Sequence, residues 1–143
     1  MTEIRVQQEE LDFTDYFRAF RNNEPFTGVV YDLTQDGNLW SEMSYVDGWQ
    51  HGITKEWSLS GTLIVEEAWQ SGYLHGLLQE WFEDGNLKRQ AEFELGTRVS
   101  DKRWNQEGRL VESFEISEKD ADYRFLMSKR KHFGEKKNKD LDT

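Results

Sequence analysis

The chain has 143 residues, enough for one modest domain, and its 36% apolar share includes six tryptophans, so burial must rest on a few large side chains. Eighteen Lys and Arg against 28 Asp and Glu give a formal charge of -10, which disfavours non-specific binding to nucleic acid or an anionic membrane and attracts a basic partner. Cysteine is absent, which removes disulfides, thiolate metal sites and cysteine nucleophiles together and fits a reducing compartment.

Met1 to Pro25 carry no repeat, but Leu11, Phe13, Tyr16, Phe17 and Phe20 are spaced by threes and fours, which predicts a helix over Glu9 to Arg21. Asn22 and Asn23 suit its C-terminal cap and Pro25 prevents its continuation. The expected role of this N-terminal helical segment, residues 1–25, is to cover the open first edge of the adjoining strands.

From Gly28 to Leu110 glycines and aromatics return every 24 residues, the signature of a repeat protein. Gly28, Gly52 and Gly76 form one series; Gly37, Gly61 and Gly85 a second; Gly48, Gly72 and Gly96 a third. Each unit reads as two strands about a turn such as Glu83-Asp84-Gly85-Asn86, where Asp-Gly signals a two-residue hairpin. Connections as short as Asp47 to Gly52 join only neighbouring antiparallel strands, so residues 26–116 predict a meander of stacked hairpins. The fourth unit is degenerate, with Gly108 one residue early, as terminal repeats often are. Trp57, Trp81 and Trp104 hold one repeat position and are assigned with Gly37, Gly52, Gly61, Gly76 and Gly85 to the structure of the repeat, the tryptophans as a ladder that is core or groove.

Alternation places Leu63, Val65 and Trp69 on one face with Leu87, Ala91 and Phe93, and Glu42, Glu66, Glu92 and Glu94 on the other. One apolar face and one acidic, wet face are therefore expected, with Leu78 and Phe82 breaking the pattern on the polar side. Beyond the repeats, Ser117-Glu118-Lys119-Asp120 resembles a helix start, and Tyr123, Leu126, Met127 and Phe133 form a stripe. Residues 117–143 are read as a covering helix and a charged tail that frays from Gly134. This segment holds 8 basic and 6 acidic residues, net +2, which leaves -12 on the rest of the chain.

Little in the sequence points to catalysis. His51 and His75 share a repeat position, but two strand spacings, about 9.5 Å, are too far for one metal ion at bond lengths of about 2 Å. Glu66-Glu67, or Glu56 with Glu80, offer carboxylate pairs, yet repeated acids on a strand face are ordinarily solvation and edge protection. No nucleotide, phosphate-loop or triad motif occurs. No secretory leader pattern or long apolar run is present, which predicts a soluble cytoplasmic protein, and the lack of a ligand cluster or nucleotide motif predicts neither metal nor cofactor.

The run Gly48-Trp49-Gln50-His51-Gly52, Glu56-Trp57, Gly61-Thr62-Leu63 and Trp69, repeated as Gly72-Tyr73-Leu74-His75-Gly76, Glu80-Trp81, Gly85-Asn86-Leu87 and Phe93, resembles MORN repeats. It resembles more closely the bacterial MORN-variant proteins of YwqK type, which are commonly classed as antitoxin or immunity proteins. The resemblance implies a stack of hairpins that acts by protein contact, without catalysis. It implies tight binding of a partner toxin, and the acidic surface suits a basic one. Repetition at exposed positions nominates Glu42, Glu66, Glu80 and Glu92, with the loop aromatics Trp49 and Tyr73, as partner contacts. The alternative is a general MORN-type scaffold or adaptor with protein contacts or weak membrane contacts through the basic segment Lys129 to Lys139; stable membrane association and nucleic-acid binding are not expected.

Overall fold

Five short elements precede the repeats: β1 (Arg5–Val6), a 3-10 turn (Gln8–Glu10), β2 (Asp12–Phe13), β3 (Ala19–Arg21) and β4 (Glu24–Pro25). The repeats supply β5 (Gly28–Leu33), β6 (Leu39–Val46), β7 (Trp49–Gln50), β8 (Gly52–Trp57), β9 (Leu63–Gln70), β10 (Tyr73–Trp81), β11 (Leu87–Glu94), β12 (Thr97–Trp104) and β13 (Leu110–Glu115), followed by α1 (Ala121–Leu141). The computed structural model describes residues 3–141, with side chains as far as Gly134. Among the described residues the main sheet runs β1-β5-β6-β8-β9-β10-β11-β12-β13, with β7 beside β6, and β2-β3-β4 form a separate small sheet. From β5 to β13 every pairing is antiparallel, the expected meander; β1 lies parallel to β5.

Two turn types alternate along the meander, and they are distributed differently from the sequence expectation. At Gly37 the loop is three residues long: Thr34 N–H donates to Asn38 O at 2.8 Å and Gly37 N–H donates to Thr34 O at 2.9 Å. The same pair of bonds recurs at Gly61, Gly85 and Gly108, with each glycine left-handed in a bulge. The two-residue turns sit at the opposite end, at Asp47-Gly48, Ser71-Gly72 and Leu95-Gly96, where both residues have positive φ. The bulges bring Trp57 opposite Leu63, Trp81 opposite Leu87 and Trp104 opposite Leu110. The repeated tryptophans thus close hairpins at one rim of the sheet, half-buried, and the compact core lies elsewhere.

That core, Val6, Leu11, Ala19, Phe26, Val30 and Tyr45, is built where the N-terminal segment folds onto the first repeat. The helix expected over Glu9 to Arg21 does not form. Only the 3-10 turn is helical there, and two tight hairpins replace the rest. Asn22 and Asn23, read as a helix cap, both take positive φ and form the two-residue turn between β3 and β4. The three-and-four spacing was coincidental: Leu11 and Ala19 turn inward, whereas Tyr16 and Phe17 at the β2–β3 tip are 83% and 79% exposed.

The C-terminal helix does form, starting at Ala121 rather than Ser117. Asp120 accepts the Ser117 N–H at 2.7 Å, so the acid at the fourth position reaches back to the start of the turn. Leu126 is buried and Tyr123, Met127 and Phe133 are half-buried, which reproduces the expected stripe. The helix crosses the two-residue-turn end of the sheet, where Arg130 Nε donates to Glu94 at 2.8 Å and Lys129 Nζ donates to Leu95 O at 2.9 Å. The tail expected to fray from Gly134 is helical to Leu141; the final two residues lie outside the described residues.

Candidate partner-binding surface

Cross-strand partners share a face, so the register sorts the charged residues. Thr54 and Leu78 both pair with Glu67, Glu56 and Glu80 both pair with Val65, and Leu78 pairs with Ala91, so these side chains share one face. Glu80 pairs with Arg89, Arg89 with Arg103, Ala91 with Asp101, and Arg103 with Glu112, which continues that face to the last strand. Glu42 pairs with Lys55, Lys55 with Glu66, Glu66 with Gln79, and Leu77 with Glu92 on the other face. The expected division into an apolar face and an acidic face is therefore overturned. Acids occupy both, and Ile53 and Leu77, at 43% and 39% exposure, belong to the Glu66 face. The division fails because the sign of a face depends on register, and each unit contains bulges that shift it.

On the Glu67 face, charge is balanced at one end and unbalanced at the other. Asp101 is fully buried and receives Arg89 Nε and Nη2 at 3.1 and 2.9 Å, Arg98 Nη1 at 3.0 Å and Arg103 Nη2 at 3.4 Å. Burial alone raises its carboxyl, but the hydrogen bonds from Arg89 and Arg98, the Arg89 charge and the Arg103 bond outweigh it and hold the pKa at about 2. Arg89 also reaches Glu80 at 3.7 Å, and Arg103 Nε lies 3.6 Å from Glu112. In the middle of the sheet, Glu67 has no such partner. Burial raises its carboxyl first, the charges of Glu56 and Glu80 raise it further, and Trp69 and Arg89 pull it back only in part. The indole Nε1 of Trp69 is buried beside it, near enough to favour the carboxylate but not aligned for a full hydrogen bond to it.

The nominated contacts do not form one surface. Glu42, Glu66 and Glu92 lie on the Glu66 face and Glu80 on the other; Glu42 is paired with Arg5 at 2.9 Å. Glu66 and Glu67, a candidate carboxylate pair, point to opposite faces, while Glu56 and Glu80 share the Glu67 face. Trp49 and Tyr73 sit at the turn end, each beneath a cation from a non-repeating segment: Arg18 over Trp49 at 5.4 Å, Lys129 over Tyr73 at 5.5 Å. Phe133 meets the Tyr73 ring edge-on at 6.0 Å. The loop aromatics therefore anchor the flanking hairpin and helix to the repeats. Sequence reasoning missed Glu67 as a site, and the Asp101 cluster altogether; the nearest signal was the run Arg98, Asp101, Arg103 beside Arg89.

The two repeat-position histidines have a shared structural use. Ser71 N–H donates to His51 Nδ1 at 3.2 Å and Leu95 N–H donates to His75 Nδ1 at 3.0 Å. Thr27, one repeat earlier, accepts the Asp47 N–H through Oγ1 at 2.9 Å. Each side chain reaches across to the first, left-handed residue of the next two-residue turn, so successive repeats are stapled at equal intervals. His75→Ala strands the Leu95 N–H in a half-buried site. The expected cost is about 1 kcal/mol, read as a lower urea midpoint together with faster amide exchange at Leu95.

Residues 74–94 match a protein family described as MORN repeat variant. This segment is similar to a MORN-type repeat. The match takes in most of β10, its three-residue turn and all of β11, and the staples and hairpin-closing pairs of this unit recur in the units around it. No curated protein and no solved structure matches the chain. No described helix is long and apolar enough to cross a membrane.

Proposed function

We propose that the chain is a non-catalytic protein-binding module, of the antitoxin or immunity kind, that holds a basic partner protein against the Glu67 face. The observation that carries this reading is the Glu56–Glu67–Glu80 group, in which Glu80 alone has a cationic partner among the described residues, Arg89 at 3.7 Å. Three half-buried acids lie together in mid-sheet, and burial with the charge of Glu56 pushes the Glu67 carboxyl up from its ordinary value, while the neighbouring end of the same face is neutralised by its own arginines. A lysine or arginine from a partner relieves that cost on binding, which favours a cationic partner over a neutral one.

Co-expression with the product of the adjacent reading frame tests the reading: rescue from toxicity with co-purification supports immunity, and a harmless neighbour that does not co-purify favours the general adaptor. Glu67→Gln separates folding from binding. A raised carboxyl pKa in the folded state contributes stability that is fully present below the unfolded pKa and lost as pH rises through the folded one. At neutral pH the neutral amide therefore raises the unfolding midpoint, while affinity for the basic partner falls by about tenfold. Unchanged affinity would place the partner elsewhere.

A further inference from the structure

We propose that β13 is a docking edge, on which an extended, positively charged segment of a partner protein adds as a further strand. The two edges of the main sheet are finished differently. Along β5 the chain supplies its own cover: β1 lies beside it, and Ile4 O accepts the Val29 N–H at 2.8 Å. β13 is the last strand at the other end, and no strand lies beyond it among the described residues. All of β13 is exposed except the half-buried Phe114, with Leu110 and Val111 at 52% and 62%.

Register fixes which backbone groups are free. Ile116 N–H donates to Val99 O at 2.8 Å, and in an antiparallel pair the bonded positions alternate. Counting back from Ile116, Phe114 opposite Asp101 and Glu112 opposite Arg103 are bonded to β12. Ser113 opposite Lys102 and Glu115 opposite Ser100 therefore turn their N–H and C=O groups away from the sheet. The next donor in that outward row, the Ser117 N–H, is already taken by Asp120 at 2.7 Å. Ser113 and Glu115 thus each offer one donor and one acceptor, about 6.7 Å apart along the strand. A second extended backbone is what matches that two-residue spacing.

The side chains of β13 admit such a strand and select its charge. Edge strands are ordinarily blunted by proline or lysine, and the six residues Leu-Val-Glu-Ser-Phe-Glu contain neither. Glu112 is shared with Arg103 at 3.6 Å. No ion pair includes Glu115 among the described residues, and Lys102, the base nearest on its face, stands opposite Ser113 one strand inward. A second copy would bring the same acids and a chain charge of -10, which opposes self-pairing. A lysine or arginine opposite Glu115, with an aliphatic residue beside Val111, complements both side chains.

Fluorescence anisotropy of the full chain with a labelled peptide of alternating valine and lysine tests this, beside the same peptide with glutamate for lysine. The lysine peptide is expected to bind about tenfold more tightly or better. Ser113→Pro removes an N–H that β12 does not use and sets the ring on the open side, so the urea midpoint stays near wild type while affinity falls about tenfold or more. Phe114→Pro removes a ladder bond and is expected to lower that midpoint sharply, which checks the register. Glu115→Lys is expected to move the preference toward the glutamate peptide with the fold intact. Amide exchange locates the contact: Ser113 and Glu115 exchange freely in the free chain and slow on binding, while Phe114 is protected throughout. Binding on the Glu67 face instead would be lost in Glu67→Gln and leave both edge amides exposed, so the two contacts are read apart. That result overturns the proposal, as do binding that survives Ser113→Pro, a preference for glutamate in the wild type, self-pairing through β13, or no peptide binding.

Discussion

Asp101→Asn is expected to destabilise the fold by about 3 kcal/mol, a drop of roughly 10 °C in Tm for a chain of this size. The amide removes the charge that gathers Arg89, Arg98 and Arg103 around one buried point on β12. The three guanidiniums then repel each other, and one half of Asp101's acceptor capacity becomes a donor facing cations. Arg89 suffers most because its side chain is 18% exposed, against 37% for Arg98 and 43% for Arg103. The pH dependence carries the same signature. The Asp101 carboxyl is held at about 2 in the fold against an ordinary 3.8, so its contribution is present above the ordinary value and lost as pH falls through the folded one. Urea melts of wild type and variant are expected to differ fully at neutral pH and to converge as the acid is protonated. A gap that persists undiminished at the lowest pH would show that the loss is not electrostatic.

The sequence made the repeat legible because its markers are covalent necessities. Left-handed turn positions favour glycine, and the tryptophans that close hairpins recur at the same spacing. What stayed hidden depends on counting residues between those markers. A three-residue loop with a bulge and a two-residue turn look alike around Asp-Gly, yet they differ by one residue of register, and one residue decides which face an acid occupies. Glu66 and Glu67 show the consequence: adjacent in sequence, alike in chemistry, and on opposite faces, with only Glu67 pressed among other acids. The N-terminal segment misled for a related reason. Leu11, Tyr16 and Phe20 imitate a helical stripe, but the informative residues were Asn22 and Asn23, whose tolerance of positive φ specifies a hairpin as readily as a cap. The Asp101 cluster assembles arginines from β11 and β12, and no local pattern announces such a convergence.

The attachment of that N-terminal segment is where one added methyl group matters most. Gly37, Gly72 and Gly48 have φ 84, 86 and 85, so alanine at each meets the same backbone strain, about 1 kcal/mol. Their surroundings differ. A Cβ at Gly37 meets nothing within 4 Å, and one at Gly72 comes 3.0 Å from the edge of the Trp49 ring, which can tilt away. At Gly48 it lies 2.6 Å from the backbone oxygen of Ala19 and 2.8 Å from Arg18 Cγ. That oxygen cannot retreat freely, because it accepts the Phe26 N–H at 3.0 Å while Gly48 itself donates to Phe26 O at 2.7 Å and accepts from Ala19 at 2.8 Å. Gly48→Ala therefore prises β3 and the buried Ala19 and Phe26 away from the first repeat, and its expected cost is about 3 kcal/mol or more, against about 1 for Gly37→Ala. Urea melts of the three variants measure the order, and amide exchange at Ala19 and Phe26 measures the cause: both amides are expected to lose protection in Gly48→Ala alone. Equal costs at all three positions would mean that φ strain is the whole effect and that the hairpin is not bound where Gly48 meets it.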